Sequence, residues 1–263
     1  MIGLFLGDKK LPLEILKKIK KNKKKYFIID LTRRNKFKSD KHSYFIGIGK
    51  FGKILDLIKR KKCKKVLFAG NIEKPKITSL KLDLKGLYYI PRILKASKFG
   101  DAAILKELIK ILSEHKIKVL KLNLFNPELT LSKGSYTKTK PKKFEHKNII
   151  KGVNYLNNLS GHNHIQGLVI KNGIVISKET KKGTKKMLQS IRSTKKFKGI
   201  LIKLPKKKQD LRVDLPTVGI DTFKDCKKAG IYGVVLKTGQ NIILDKKECI
   251  NFANKNKIFV HVI

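Results

Sequence analysis

Short apolar segments and longer amphipathic segments alternate through the first half of the chain, and this order restricts the fold more than any other feature. Apolar runs at residues 2–6 and 26–30 predict strands, whereas residues 11–21 and 102–114 repeat apolar side chains every three or four positions, as helices do. Strands separated by helices of about ten residues or more pair in parallel, because hairpins have short turns. Further strands are predicted at residues 44–46, 66–69 and 118–122, and a further helix at 50–61. The pattern predicts an α/β fold with a Rossmann-like N-terminal domain built on a parallel sheet.

The periodicity stops near residue 131 and resumes near residue 148. The intervening sequence LSKGSYTKTKPKKFEHK is rich in Lys, Thr, Ser, Gly and Pro, which is typical of an interdomain linker or an exposed crossover. Beyond it, Asn172-Gly173 joins two apolar runs as a hairpin turn, and helices and strands alternate again. We therefore expect two mixed α/β domains joined by a linker, with residues 1–134 in the first domain and residues 135–263 in the second.

The net charge of +45 raises the question of nucleic-acid binding. Only six of the 64 basic residues are arginine, and 33 isoleucines stand against six alanines, which is the composition that AT-rich codons give to an ordinary protein. The lysines are spread along the whole chain, without a basic stripe and interleaved aromatic residues. We interpret the charge as a solvated surface that attracts anions, and keep a basic nucleic-acid-binding module as an alternative.

The sequence predicts a protein of the cytoplasm. It contains no apolar run of about 18 residues, so no membrane span is expected, and no cleavage site follows the short apolar start. Cys63, Cys226 and Cys249 lie far apart and match no metal or redox spacing. We expect buried thiols that form no disulfide, in a reducing compartment.

Two short motifs suggest ligand sites weakly. Gly47-Ile-Gly-Lys-Phe-Gly52 has the G-x-G-x-x-G spacing of a dinucleotide-binding turn, but it follows the third predicted strand instead of the first. An ordinary strand-to-helix turn, lining a nucleotide pocket at most, is the favoured interpretation. His162 and His164 would share one face of a strand, yet no third ligand of suitable spacing for zinc is evident.

Acidic residues are rare in this chain, and their clustering is therefore informative. Four of the eleven aspartates lie between Asp210 and Asp225, directly after a predicted strand at residues 199–204. In an extended backbone, alternation places Asp210, Arg212 and Asp214 on one face. Two carboxylates around a guanidinium suit a divalent cation and a phosphate, or the activation of a water. A structural salt bridge on an edge strand remains an equal alternative.

The same segment resembles a known family. Lys203, the run Gln209-Asp-Leu-Arg-Val-Asp-Leu-Pro-Thr-Val-Gly219 and Thr222 look like the signature of the LpxI-type UDP-2,3-diacylglucosamine pyrophosphatases. The resemblance extends over nearly the whole chain, with weaker matches at Ala69-Gly70, Pro75, Pro91-Arg92, Gly100-Asp101, Gln166 and Gly183-Thr184-Met187.

The chain departs from the family pattern in three places. A glycine-rich segment near the N-terminus is replaced by Leu6-Gly-Asp-Lys-Lys-Leu-Pro12, an acidic segment is replaced by Lys182-Gly-Thr-Lys185, and a Gly-Asp-Asp element is Gly100-Asp-Ala102 here. Because fewer glycines leave less room for a phosphate to approach the backbone, the first departure could change turnover or substrate preference.

The resemblance implies Mg²⁺-assisted hydrolysis of UDP-2,3-diacylglucosamine to UMP and 2,3-diacylglucosamine 1-phosphate (lipid X), with transient contact at the inner membrane surface. It gives Asp210 and Asp214 the roles of catalytic residues and metal ligands, and makes Arg212 a phosphate clamp. The other residues expected to bind substrate are Lys203, Gln209, Thr217, Gly70, Arg92, Asp101, Gly183 and Thr184. A non-catalytic protein that binds nucleotide sugars or phospholipids is the alternative from another class.

Overall fold

The computed structural model describes residues 1–72, 80–159, 165–191, 198–207 and 209–263. The chain forms two compact units, each with its own mixture of helices and strands, which confirms the expected fold class. Met1–Asn126 and Asp210–Asp214 make up the first unit, and Pro127–Gln209 and Leu215–Ile263 make up the second. The first unit thus includes a short piece of the signature, Asp210–Asp214, in addition to Met1–Asn126.

The first unit is built on a five-stranded sheet in the order β3-β2-β1-β4-β5, and each of its strand pairs is parallel. Its elements are β1 (Ile2–Leu6), α1 (Leu11–Lys21), β2 (Tyr26–Asp30), β3 (Ser43–Phe45), α2 (Phe51–Arg60), β4 (Lys65–Ala69), α3 (Leu84–Ser97), α4 (Asp101–Glu114) and β5 (Lys118–Val119). The order reverses between β1 and β4, as expected for a Rossmann-like sheet, in which ligands bind at the carboxyl ends of the strands beside this reversal.

The helices of this unit bury the faces that the sequence pattern predicted. Ile15 and Ile19 of α1 are fully buried, and Ile54, Leu57 and Ile58 of α2 are almost fully buried. Burial of such side chains stabilises a fold by roughly 1.5–3 kcal/mol each. The apolar repeat along these helices is therefore the main reason that they cover the sheet.

Helix α3 was not predicted. Gly86 and Pro91 lie inside it, and both residues normally disfavour a helix interior. Its outer face also carries exposed apolar side chains, which hide the amphipathic period. Arg92 anchors α3 to α4, since its guanidinium donates to Glu107 at 2.7 Å and to both carboxylate oxygens of Glu114 at 2.7 and 2.8 Å.

The second unit contains a six-stranded mixed sheet in the order β6-β13-β11-β9-β7-β8, in which β9, β11 and β13 run parallel, and a two-stranded parallel sheet of β10 and β12. Its elements are β6 (Gly134–Ser135), α5 (Lys143–Asn158), β7 (Gly167–Lys171), β8 (Ile174–Lys178), α6 (Gly183–Gln189), β9 (Gly199–Lys203), β10 (Thr217–Val218), α7 (Ile220–Lys228), β11 (Ile231–Leu236), β12 (Ile242–Ile243), α8 (Lys246–Lys255) and β13 (Phe259–Val262). The predicted hairpin is confirmed, with Asn172 and Gly173 at φ angles of 50° and 77°.

Residues 131–147, expected to be an interdomain linker or an exposed crossover, lie within the second unit. They contain β6, which pairs with β13, and the first turn of α5. Within that turn the buried carboxylate of Glu145 accepts a hydrogen bond of 2.7 Å from the hydroxyl of Tyr232 on β11. The polar, lysine-rich composition of this segment shows no apolar period, so neither β6 nor the start of α5 could be predicted from it.

All three cysteines are buried and none forms a disulfide, as the sequence predicted. The part of the chain that the structure describes has no helix both long and apolar enough to span a bilayer.

Candidate active site

A buried polar cluster lies at the carboxyl end of β9, where Lys203 is the last residue of the strand. The ammonium of Lys203 donates to the Thr184 hydroxyl at 2.5 Å and lies 3.5 Å from a carboxylate oxygen of Glu179. The Thr184 hydroxyl in turn donates to the same carboxylate at 2.7 Å. The side chains of Lys203 and Glu179 are only 6% and 7% exposed, so the two charges balance each other out of water.

Two glutamine side chains extend this cluster. Gln209 is buried, and its amide oxygen accepts hydrogen bonds from the backbone N–H of Lys206 at 2.9 Å and from the side chain of Gln166 at 3.2 Å. The backbone N–H of Gln166 donates to the second carboxylate oxygen of Glu179 at 3.0 Å. The structure therefore brings together three of the predicted binding residues, Lys203, Gln209 and Thr184, with Glu179 at their centre.

Asp210 and Arg212 form an ion pair within a tight turn of the first unit. The carboxylate of Asp210 accepts from the backbone N–H of Arg212 at 3.0 Å, and from its Nε and Nη2 at 2.9 and 2.6 Å. The backbone N–H groups of Val213 and Asp214 donate to the Asp210 carbonyl at 3.1 and 3.0 Å. The expected extended backbone is thus wrong, since these bonds close a helical turn.

This ion pair leaves both partners charged. The Arg212 guanidinium is the main reason that the pKa of Asp210 lies below its ordinary value, and partial burial opposes this effect. The same hydrogen bonds to Asp210 raise the pKa of Arg212. A carboxylate held in this way is a weak base but remains a good oxygen ligand, and the Arg212 side chain is still 44% exposed.

The turn is fixed to the first unit by its backbone and by one apolar side chain. The carbonyl of Arg212 accepts a hydrogen bond of 2.8 Å from the N–H of Leu122, and Val213 packs against the core formed around β4 and α2. The signature then returns to the second unit, where the half-buried Thr217 on β10 donates its hydroxyl to the carbonyl of Leu215 at 3.1 Å.

Gly70 lies at the reversal point of the parallel sheet, but close packing is enough to explain why the residue there is glycine. Its φ is +89°, and a Cβ there would approach Pro12 and the Asp8 carbonyl to 2.5 and 2.6 Å. The backbones of Asp8 and Asn71 exchange hydrogen bonds of 2.7 and 3.1 Å across this edge. The altered segment Gly7–Lys10 is therefore joined to the loop after β4, and only glycine fits at Gly70.

Arg92 and Asp101, the other predicted binding residues of this unit, lie at different places on the α3–α4 pair. The guanidinium of Arg92 forms salt bridges with Glu107 and Glu114. The need for a planar, bidentate donor at this position is therefore explained by helix packing more directly than by substrate binding. Asp101 is the first residue of α4, where a carboxylate complements the helix dipole, and it follows Gly100 with a φ of 93°.

The glycine turn before α2 is filled by a side chain of the protein. The Asp83 carboxylate accepts hydrogen bonds of 3.0 Å from Gly52 and Lys53 at the start of α2, and one of 2.8 Å from Gly86 in α3. Burial opposes ionisation, but these backbone donors hold the pKa of Asp83 below its ordinary value. A carboxylate thus occupies the N–H groups that would contact a pyrophosphate in a dinucleotide fold, which supports the ordinary strand-to-helix turn.

Some predicted features lie outside the described residues: Pro75, His162 and His164. Gly183 begins α6 with a φ of +80° and has open space around its Cβ position. Among the residues that the structure does describe, no three His, Cys, Asp or Glu side chains gather as a metal site.

Sequence reasoning missed Glu179 and Asp83. Both are acids in a chain that has only 19, and both could have been noticed for that reason. Glu179 comes shortly after the second apolar run of the predicted hairpin, and Asp83 precedes Leu84-Lys-Gly86 as a capping residue would.

Comparisons with known proteins agree with the resemblance. Residues 1–129 match the family model of the LpxI N-terminal domain, and residues 132–261 match that of the LpxI C-terminal domain. A curated relative, UDP-2,3-diacylglucosamine pyrophosphatase LpxI of Caulobacter vibrioides, is 28% identical over 269 residues, covering 98% of this chain and 96% of its own.

Proposed function

The chain belongs to the LpxI family, and from this premise we propose that it hydrolyses the pyrophosphate bond of UDP-2,3-diacylglucosamine in lipid A synthesis. The observation that carries the proposal is the pair Asp210–Arg212, which places a charged fork and a carboxylate within one exposed turn of the family signature. Pyrophosphate cleavage needs both groups, because negative charge must be neutralised while a water is oriented for attack.

Arg212 is the residue that would bind the phosphate oxygens. A guanidinium donates two parallel hydrogen bonds to phosphate as readily as to carboxylate. When a pyrophosphate takes part of this fork, the Asp210 carboxylate loses donors that lower its pKa, and its basicity rises. Substrate binding would therefore free the Asp210 carboxylate to orient the water or to hold a cation.

We propose that Asp210 and Asp214 also hold Mg²⁺. Carboxylate oxygens suit this hard cation, which is usually bound by one or two carboxylates together with substrate phosphates and waters. When bound, the cation would neutralise charge on the pyrophosphate. The lack of a three-residue cluster in the described part of the chain is compatible with this donor set, because the substrate would complete it.

In the proposed reaction, the oxygen of water forms a bond to one phosphorus while the bridging P–O bond breaks. The two products are UMP and 2,3-diacylglucosamine 1-phosphate, and the proton of the water passes to a carboxylate or to solvent. In the second unit, Lys203, Thr184, Gln209, Gly183 and Thr217 are further residues proposed to bind substrate.

The test is incubation of the purified chain with UDP-2,3-diacylglucosamine, followed by quantification of UMP. Activity should need Mg²⁺, disappear in excess EDTA and return when Mg²⁺ is added. Release of UMP in excess chelator would refute the metal role alone. Substrate that stays intact at every Mg²⁺ concentration, while binding persists, would favour the non-catalytic binding protein.

We also propose transient contact with the inner membrane surface, where a lipid substrate resides. Leu84, Leu87 and Tyr88 on the outer face of α3 are 87%, 60% and 73% exposed, and Lys95 continues this face at helical spacing. Exposed apolar side chains next to lysine suit an anionic lipid surface. The chain should sediment with phosphatidylglycerol vesicles, and a Leu87→Ser/Tyr88→Ser variant should not.

Ile174→Ser is a matched control, because Ile174 is comparably exposed on β8. Equal sedimentation of both variants with the unchanged chain would exclude α3 as the contact.

Binding of random DNA at physiological salt with a steep salt dependence would favour the nucleic-acid alternative.

A further inference from the structure

We propose that the buried cluster around Gln209 is a subsite for a neutral oxygen acceptor of the substrate, and that Nε2 of Gln209 is its donor. The inference rests on the proposed function and adds to it, because it separates the recognition of an uncharged group from the handling of the pyrophosphate. Three observations support it: an unpartnered donor, a fixed amide orientation and a cluster without net charge.

The donor is the side-chain nitrogen of Gln209. The residue is 8% exposed, and within the described ranges Nε2 has no hydrogen-bond acceptor. Buried side-chain amides in folded proteins are nearly always satisfied by protein, water or ligand. Its position next to Asp210 in the signature places this donor one residue from the proposed pyrophosphate-binding turn.

The orientation of the amide is set by chemistry. The backbone N–H of Lys206 can only donate, and it lies 2.9 Å from one end of the Gln209 amide. That end must be the oxygen, and the side chain of Gln166 donates to it as well, at 3.2 Å. The opposite end is therefore the NH₂ group, which offers protons to an acceptor.

The charges nearby favour an uncharged acceptor. Lys203 is the buried cation of the cluster, and its ammonium is paired with the Glu179 carboxylate at 3.5 Å and bonded to Thr184. The positive charge of Lys203 is already balanced by Glu179, so within the cluster it offers a phosphate little net attraction. A carbonyl or hydroxyl oxygen needs no such charge and would gain a hydrogen bond from Nε2.

The proposed substrate offers such oxygens on both sides of its pyrophosphate. The uracil ring presents two carbonyls, and the diacylated sugar presents hydroxyl and acyl carbonyl oxygens. Both sources provide the same chemistry, a neutral oxygen acceptor, and direct binding of the two halves of the substrate distinguishes them.

Two substitutions remove the donor in different ways. In Gln209→Glu, one carboxylate oxygen still accepts from Lys206 and Gln166, but the other faces the ligand as an acceptor. In Gln209→Met, the side chain keeps its length and neutrality but loses the amide. As a control, Asn241→Asp alters a buried amide whose nitrogen already donates to the Lys203 carbonyl at 3.0 Å.

Calorimetric titration of the full chain with UMP, with a short-chain 2,3-diacylglucosamine 1-phosphate and with inorganic pyrophosphate tests the proposal. Both Gln209 variants should bind either UMP or the sugar phosphate at least about tenfold more weakly, as expected when a buried polar partner is lost. Gln209→Met should bind pyrophosphate as the unchanged chain does. Asn241→Asp should melt at a lower temperature but keep its affinity for the weakened ligand.

Affinities for both halves that stay unchanged in the two Gln209 variants would overturn the subsite, and would leave Nε2 satisfied by water. Weaker pyrophosphate binding in Gln209→Met would instead assign the cluster to phosphate. If the unchanged chain releases no UMP from UDP-2,3-diacylglucosamine, the proposed function itself fails, so the two failures are distinguishable.

Discussion

Replacing Glu179 by Gln should destabilise the second unit strongly, because it removes the carboxylate that balances the charge of the buried Lys203 ammonium. The two groups lie 3.5 Å apart with side chains 6% and 7% exposed. At an effective dielectric constant of about 20, charges at this distance attract by about 5 kcal/mol. Removal of one member of a buried pair costs roughly 3–5 kcal/mol in measured cases. At roughly 2–4 °C per kcal/mol for a domain-sized unit, Glu179→Gln should lower the melting temperature by about 6–20 °C.

Calorimetry or circular dichroism should be used for this measurement, since the chain contains no tryptophan. The double variant Glu179→Gln/Lys203→Met should recover most of the loss, because a neutral apolar replacement of both partners removes the uncompensated charge. Glu114→Gln, which removes one exposed partner of Arg92, should melt near the unchanged chain. The reasoning is refuted if Glu179→Gln melts within about 2 °C of the unchanged chain, or if the double variant is no more stable than the single one.

Four further outcomes test the turn at residues 210–214 and the cap at Asp83. Arg212→Lys should lower kcat/KM for UMP release by about tenfold or more, equivalent to roughly 1.4 kcal/mol, because the point charge survives and the fork does not; unchanged kinetics would make Arg212 merely structural. Asp210→Ala should lower kcat by at least about 10²-fold while the protein melts near the unchanged chain. Asp214→Ala should raise the Mg²⁺ concentration needed for half-maximal activity, which Arg212→Lys should not do. Asp83→Ala should lower the free energy of unfolding by about 0.5–2 kcal/mol at neutral pH. The difference in stability between the variant and the unchanged chain should shrink as the pH falls through the lowered pKa of Asp83, because protonation removes the carboxylate contribution from the unchanged chain too. Chemical denaturation at several pH values measures this difference.

Much of the fold could be predicted because its signals are local. The strands β1 and β2 and helix α1 have the predicted bounds, because the spacing of apolar residues within each segment is enough to define it. Helix α3 could not be predicted in this way. Its outer face is apolar without being buried, and its place is fixed by contacts to α2 and α4 that lie far away in the sequence, such as Asp83 to Gly52 and Arg92 to Glu114.

The candidate site shows a different limit of sequence-based prediction. Asp210 and Arg212 lie together as expected, but the extended backbone from which this was inferred is absent. Alternation in a strand places residues i and i+2 on one face, which led to the expected pairing of Asp210 with Arg212. In the structure they meet because the Asp210 carboxylate accepts the Arg212 N–H across a turn and the long Arg212 side chain folds back on it. Periodicity alone cannot distinguish these two cases for so short a segment.

The distinction matters for the second carboxylate. In a strand, Asp214 would share a face with Arg212 as well as with Asp210. In the helical turn closed by the hydrogen bond from Asp214 N–H to the Asp210 carbonyl, the two aspartates are four residues apart and share a face, while residue 212 starts on another. Under the proposed function, the two carboxylates would hold the cation and Arg212 would bind the phosphate oxygens. Loss of Asp214 should for this reason change the Mg²⁺ dependence, and loss of the Arg212 fork should change the affinity for the transition state.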